Sequence, residues 1–315
     1  MKVIFAGTPD VAVPTLEALN QSDHEIVAVL TRPPARRGRG RTLYPSAVGQ
    51  WALEHNCPII EASRLVDDEI HEQIANCGAE LGVVVAYGAI IPASLLAAFP
   101  HGWINLHFSD LPRWRGAAPV QRAIEAGDTV TAINVFQLEE GLDTGPVFSS
   151  RPVTIPPDIS GGELLLSLAQ QGAHDVVDVV TAVEAGVARA VAQPSEGATY
   201  ARMVSREELE INFSRSALEI HNQIRAWSPQ PGAWTILPTG QRLKIFETLP
   251  VESTTQLLPG EVETTRRAVF VGTASGVLEI CSVAPAGKAR MKAVDWARGA
   301  RLPEQTILGK KVKNA

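Results

Sequence analysis

The chain is poor in cysteine, has no long apolar run and lacks the glycine signature of a dinucleotide-binding turn. Each absence removes a class of protein. Three cysteines in 315 residues, Cys57, Cys77 and Cys281, are odd in number, far apart and form no CxxC pair. They read as free thiols of a reducing compartment, with neither a disulfide framework nor a metal site implied. Apolar runs such as Leu81–Ala86 are far too short to cross a bilayer. Apolar residues make up 45% of the chain and mean hydropathy is near zero, as in soluble globular proteins. Met1-Lys2-Val3-Ile4-Phe5 enters a strand pattern at once, so no signal or transit peptide is expected and the expected location is the cytoplasm. The first strand-to-helix turn, Gly7-Thr8-Pro9-Asp10, holds one glycine where a pyrophosphate needs G-x-G-x-x-G. That argues against a nicotinamide or flavin cofactor. No internal repeat is present.

What is present is an uneven charge. The net charge is −6, but residues 1–204 carry −10 and residues 205–315 carry +4. An acidic first part joined to a basic second part suggests separate domains, the second suited to a polyanion. Within the acidic part, residues 32–44 hold Arg32, Arg36, Arg37, Arg39 and Arg41 among glycine and proline, with no acid to balance them. Charge runs are usually solvated faces. Arginine forks also match phosphate oxygens, so Arg36, Arg37, Arg39 and Arg41 are candidate nucleic-acid contacts.

The hydrophobic pattern predicts strands at Lys2–Ala6, Glu25–Leu30, Pro58–Ile60, Leu81–Tyr87, Trp103–Leu106 and Thr131–Leu138. Helical patterns lie between them at 9–19, Pro45–Asn56, Asp67–Cys77 and Ala117–Ala126, and Gly161–Ala185 follows. Thr8 is the expected cap of the first helix. This alternation is that of an α/β fold with a doubly wound parallel sheet. A helix at Ser214–Trp227, with Ser214 as its cap, precedes short strand patterns at Ala233–Leu237, Arg242–Leu249, Ala268–Gly272 and Val277–Val283. Those read as a small β-barrel. The division is therefore residues 1–187, a linker at 188–205, and residues 206–315.

One stretch concentrates polar chemistry. Trp103–Leu106 begins as an apolar strand, and an amide, an imidazole, a hydroxyl, a carboxylate and two guanidinium groups fall between Asn105 and Arg115. A strand interior could not satisfy them all, since each buried unpaired group costs about 1–3 kcal/mol. They belong where the strand ends and a cleft opens. Asn105 and His107 are two apart and so share one face. Gly141-Leu142-Asp143-Thr144-Gly145 follows the next strand and sets a carboxylate in a turn. A lone histidine is more often structural, and an aspartate between glycines more often a turn former. Together the three supply what acyl transfer to an amine needs: an amide for the oxyanion, an imidazole that titrates near neutrality, and a carboxylate to orient it or take a proton.

The run Asn105-x-His107-x-Ser109-x-Leu111-Pro112, then Arg113-Trp114-Arg115-Gly116-Ala117-Ala118-Pro119, with Gly141-Leu142-Asp143-Thr144-Gly145 downstream, resembles the 10-formyltetrahydrofolate-dependent formyltransferases. Likeness to the tRNA-directed members extends to Phe5–Asp10, the arginine loop, Val84–Gly88, Thr199–Ala201 and Pro285–Lys288. The resemblance implies a Rossmann-like catalytic domain and a C-terminal barrel of OB-like topology. It implies 10-formyltetrahydrofolate as formyl donor, methionyl-initiator-tRNA as acceptor, and a monomer with no metal. On this chain the catalytic residues fall on Asn105, His107 and Asp143, and the folate-binding element on Ser109, Asp110, Leu111 and Pro112. The tRNA-contacting loop falls on 32–44, with Arg39 nearest the acceptor end. The chain departs from the family at Asp110, commonly leucine, and at Phe108, often a small residue.

Three rival readings remain. A formyltransferase acting on a small amine would keep Asn105, His107 and Asp143 but need no arginine loop. A non-catalytic RNA-binding protein has no reason to assemble those three residues. A dehydrogenase fails on the glycine pattern. The sequence leaves open which of His107 and Asp143 is the immediate base.

Overall fold

Seven segments form the first sheet: β1 (Lys2–Gly7), β2 (Glu25–Thr31), β3 (Ile59–Glu61), β4 (Leu81–Val85), β5 (Trp103–His107), β6 (Val130–Gln137) and β7 (Val147–Thr154). In this computed structural model, which describes residues 1–36, 42–252, 256–303 and 305–309, their order is β7-β6-β5-β4-β1-β2-β3. The five strands from β5 to β3 are mutually parallel, as the alternation of strands and helices predicts. The rest of the sheet is not: β6 runs antiparallel to β5, and β7 to β6. Between β6 and β7 there is only the loop 138–146, too short for the dozen-residue crossover that a parallel pair requires. β7 itself carries Ser149, Ser150, Arg151 and Pro152. A sheet edge tolerates that composition, and it hides the strand from a hydrophobic pattern.

Both faces of the parallel strands are covered, which is why they read as near-continuous apolar runs. One face joins Ile4, Ala6, Leu30, Val84, Tyr87 and Trp103 in a single core. There Gly82 pairs with Trp103 across β4 and β5, and any Cβ at Gly82 would overlap the indole. On the other face the helix Gly161–Glu184 comes so close that a Cβ at its Gly172 would lie 2.9 Å from both Ile133 and Leu106. Ser46 caps the helix Ala47–Glu54 by accepting the Gly49 N–H at 2.9 Å. Thr8, the expected cap of the first helix, does something else. Its hydroxyl donates to the Tyr87 carbonyl at 2.9 Å, and a short 3-10 turn at Asp10–Ala12 leads into the helix Val13–Asn20.

The chain clusters into two compact units, and the division is not a single cut. One unit comprises Met1–Pro119, Val130–Thr154 and Leu165–Arg202; the other takes Val120–Thr129, Ile155–Leu164 and Met203–Ala315. Much of 188–205 is thus part of the first unit. Val191 bridges to Val147, and Tyr200–Ala201 pairs in parallel with Arg115–Gly116.

The second unit is built on an antiparallel sheet of half-barrel form. Its strands are β8 (Trp234–Ile236), β9 (Arg242–Val251), β10 (Val262–Thr264), β11 (Val269–Gly272) and β12 (Val277–Pro285), ordered β8-β9-β12-β11-β10, with β13 (Met291–Lys292) also on β12. Register shifts between Ile245 and Thr248 bend the long β9–β12 ladder, as bulges do. Ile220, Ile224, Leu243, Ile245, Leu278, Ile280 and Trp296 fill its core. Its helix Ala217–Ala226 is capped by Ser216 and not by Ser214. Ser216 accepts the Glu219 N–H while the Glu219 carboxylate accepts the Ser216 N–H, a full capping box. Among the described residues no helix is long and apolar enough to cross a membrane.

Candidate active site

Strand β5 ends in the middle of the first sheet, between β4 and the antiparallel β6, and its last residues carry the candidate chemistry. Asn105 lies opposite Val84 on one side and Phe136 on the other. It is half-buried, and none of the described residues hydrogen-bonds its side-chain amide. His107 shares its face and is 5% exposed, with its ring edge-on to Phe136 at a centroid distance of 6.1 Å.

Two contacts define the state of that imidazole. Nε2 lies 3.2 Å from the Trp114 carbonyl oxygen. A carbonyl can only accept, so in the neutral ring Nε2 carries the proton and donates it there. Nδ1 is left with its lone pair facing the Asp143 Oδ2, 3.8 Å away. Burial holds the His107 pKa below its ordinary value; the Asp143 charge and the Trp114 hydrogen bond oppose that shift without reversing it. The ring is therefore neutral near pH 7, with an open Nδ1 and a carboxylate beside it.

Asp143 is held from outside the turn that carries it. Its Oδ2 accepts the Gly116 N–H at 2.7 Å, and its backbone is left-handed, with φ 50°. Trp114, which supplies the carbonyl to His107, is also left-handed, with φ 61°. Two non-glycine residues in that region cost about 1–3 kcal/mol each, and such strain persists only where surrounding contacts over-determine it. Here they do. In the same turn Gly145 approaches β6 so closely that any Cβ there would overlap the Gln137 carbonyl oxygen.

The candidate folate element follows β5 directly. Ser109 is buried and its hydroxyl donates to the Arg113 carbonyl at 2.7 Å. The Arg113 N–H returns to the Asp110 carbonyl at 2.9 Å, closing a turn over Asp110–Arg113 that contains the cis Leu111–Pro112 bond. Asp110 is exposed, while Leu111 and Pro112 are half-buried. Of the candidate nucleic-acid contacts, Arg36 is exposed in a two-residue ladder with Leu43–Tyr44. Arg37, Arg39 and Arg41 lie outside the described residues.

Two residues that sequence reasoning missed belong to this region. Asn134 faces His107 across β5 and β6, and its buried amide donates to the Ser109 carbonyl. Gln193 donates to the carbonyls of Asp143 and Gly145, both at 2.8 Å. Neither leaves a local signal, because their partners lie far away in sequence.

Comparison with known proteins bears on the whole chain. Residues 1–180 match the formyl transferase family and residues 203–301 the formyl transferase C-terminal domain. A methionyl-tRNA formyltransferase of Streptomyces griseus subsp. griseus is 43% identical over 98% of this chain and 100% of its own length. One from Cutibacterium acnes is 46% identical over the same shares. Among solved structures, methionyl-tRNA formyltransferase from Clostridium thermocellum superposes with a TM-score of 0.58 at 20% identity, covering 81% of this chain and 95% of that one. This chain belongs to the formyl transferase family.

Proposed function

We propose that this protein transfers the formyl group of 10-formyltetrahydrofolate to the α-amino group of methionyl-initiator-tRNA, in the cytoplasm, as a step that prepares translation initiation. The observation that carries the chemistry is the buried His107, its Nε2 committed to the Trp114 carbonyl and its Nδ1 facing the fixed Asp143 carboxylate. Full-length similarity to methionyl-tRNA formyltransferases supports the choice of acceptor.

The α-amine has a reference pKa of about 7.7–8.0, so a useful fraction is neutral and nucleophilic near neutrality. Attack on the formyl carbon places negative charge on its oxygen and positive charge on the nitrogen. Asn105, whose amide has no partner among the described residues, donates to the developing oxyanion. The proton leaving the amine goes to Nδ1 of His107, Asp143 stabilises the imidazolium that results, and the same proton passes to N10 of the folate as the bond from N10 to the formyl carbon breaks, releasing tetrahydrofolate and the formylated amine. Nε2 is the proton donor to a backbone carbonyl throughout, which makes Nδ1 the working nitrogen and His107 the immediate base. Ser109, Asp110, Leu111 and Pro112 line the folate side. The first unit carries this chemistry; Arg36, Arg37, Arg39 and Arg41, with the net positive second unit, hold the tRNA backbone.

The test is formyl transfer from 10-formyltetrahydrofolate to methionyl-tRNA, run beside free methionine and small amino sugars. Transfer to the charged tRNA alone is the expected result, and a preference for a small amine would overturn it. Asn105→Ala should lower turnover about 10²–10³-fold, the cost of an oxyanion donor. Turnover near that of the parent would remove Asn105 from the mechanism.

A further inference from the structure

The segment 188–205 has no periodic pattern, yet it is laced to both loops of the candidate site. The Thr199 carbonyl accepts the Arg115 N–H at 2.9 Å, and the Thr199 hydroxyl oxygen accepts the Trp114 N–H at 2.9 Å. Val191 and Val147 exchange two backbone hydrogen bonds, at 2.8 and 2.9 Å. Between these anchors sits Gln193, half-buried among exposed neighbours.

A primary amide offers two N–H donors and two acceptor lone pairs, and Gln193 uses all four. Its Nε2 donates to the carbonyl oxygens of Asp143 and Gly145 at 2.8 Å each. Its Oε1 accepts from Arg115 Nε at 3.1 Å and Nη2 at 2.6 Å. Arg115 also precedes Gly116, whose N–H holds the Asp143 carboxylate. One planar side chain therefore ties the arm that grips the Asp143 carboxylate to the backbone of the turn that bears it. The left-handed conformation is costly for a residue other than glycine, and such a tie helps to hold Asp143 in it.

We propose that Gln193 is a positioning residue for formyl transfer: its amide fixes the Asp143 turn against the Arg115–Gly116 arm, and so sets the carboxylate against His107. This rests on the reading of His107 and Asp143 as the reacting pair. The amide nitrogen does the positioning, and the oxygen keeps the amide in place by binding Arg115.

The full-length enzyme tests this through three variants: Gln193→Ala, Gln193→Glu and Asp143→Asn. Glutamate still accepts both Arg115 hydrogen bonds and adds an ion pair, but it turns a carboxylate oxygen toward two carbonyls. Steady-state transfer is measured against methionyl-tRNA and against 10-formyltetrahydrofolate, with thermal unfolding alongside. Both Gln193 variants should lose about 10–100-fold in kcat, the scale of a small misplacement of a reacting group, with both KM values near the parent's. Gln193→Glu should keep the parent's thermal midpoint, so it carries the test even if Gln193→Ala folds poorly. If Gln193→Glu turns over like the parent while Asp143→Asn is crippled, Gln193 merely anchors the segment and the inference fails alone. A raised KM at unchanged kcat would move Gln193 to substrate binding and also overturn it. Parent-like turnover of Asp143→Asn would remove the reacting pair and this inference with it.

Discussion

His107 in the first unit and His221 in the second are almost equally buried, at 5% and 4% exposure. Burial lowers the pKa of both. Each faces an aspartate, Asp143 at 3.8 Å and Asp158 at 3.6 Å. The difference lies in the carboxylates. The Asp143 side chain is 12% exposed, takes the Gly116 N–H, and sits on a strained turn braced by Gln193. The Asp158 side chain is 71% exposed and accepts no hydrogen bond from a described residue. Solvent screens that second pair, which contributes about 0–1 kcal/mol at most. His221 instead bonds the buried Thr248 through Nδ1 at 3.1 Å, and the nearby Arg225 guanidinium adds to its pKa depression. A histidine beside an aspartate is thus not a catalytic pair by proximity. What distinguishes the first is a carboxylate held in place by its surroundings, and the proposed catalysis draws on that confinement.

The largest expected contrast is in turnover. His107→Ala should lower kcat about 10²–10⁴-fold, the usual worth of a positioned base. His221→Gln should leave transfer to methionyl-tRNA at the parent's rate, because neither His221 nor Asp158 takes part in the proposed chemistry. A large loss of turnover in a well-folded His221→Gln enzyme would break the comparison.

A smaller contrast separates damage to the turn from damage to the fold. Gly145 and Gly161 are both sites where a Cβ would overlap a carbonyl oxygen, that of Gln137 in the first unit and of Ala226 in the second. Alanine at either should cost about 1–3 kcal/mol, the usual cost of forcing extra volume against packed backbone, and lower the thermal midpoint. Only Gly145→Ala displaces the turn that bears Asp143, so only it should also lose kcat at temperatures where the enzyme remains folded. Equal activity losses in the two variants would mean that the Asp143 turn tolerates displacement.

These contrasts also explain what could be read from the sequence. Asn105, His107 and Asp143 stood out because polar groups at the ends of apolar strands are chemically conspicuous. The central strands stood out because double-sided burial makes them continuous apolar runs. Other features are silent for physical reasons. Gln193 acts on two carbonyl oxygens, which every residue possesses, and on Arg115, which is distant in sequence, so no local pattern of residue types marks its partners. β7 is an edge strand with serine, arginine and proline, and edge strands are free of the hydrophobic constraint. The antiparallel pairing of β7 with β6 follows from the short loop between them, not from either strand's own composition. Ser216 was legible in principle: Ser216-x-x-Glu219 is a capping-box spacing, and Ser214 has no acid three residues on.

The smallest effect is thermodynamic, and in it the two histidines should behave alike. In the unfolded chain an imidazole has a pKa of about 6.5. Burial lowers the folded value for His107, against Asp143 and the Trp114 carbonyl, and for His221, between Arg225 and Asp158. As pH falls below about 6.5 the unfolded chain takes up protons that the folded chain refuses, so both residues contribute stability that is present above that pH and is lost progressively toward their folded values. Each can supply a slope of at most about 1.4 kcal/mol per pH unit in that window. The carboxylates with lowered pKa, Glu163 and Glu219 among them, titrate at lower pH and leave the window to these two histidines and to His24, whose pKa burial also lowers. Denaturant unfolding between weakly acidic and neutral pH should therefore show a shallower decline for His221→Gln and for His107→Gln than for the parent. Only the second of these should lose activity. A parent-like slope in His221→Gln would mean that its imidazole protonates as easily folded as unfolded, and the two histidines would then differ in burial as well as in the carboxylate each one faces.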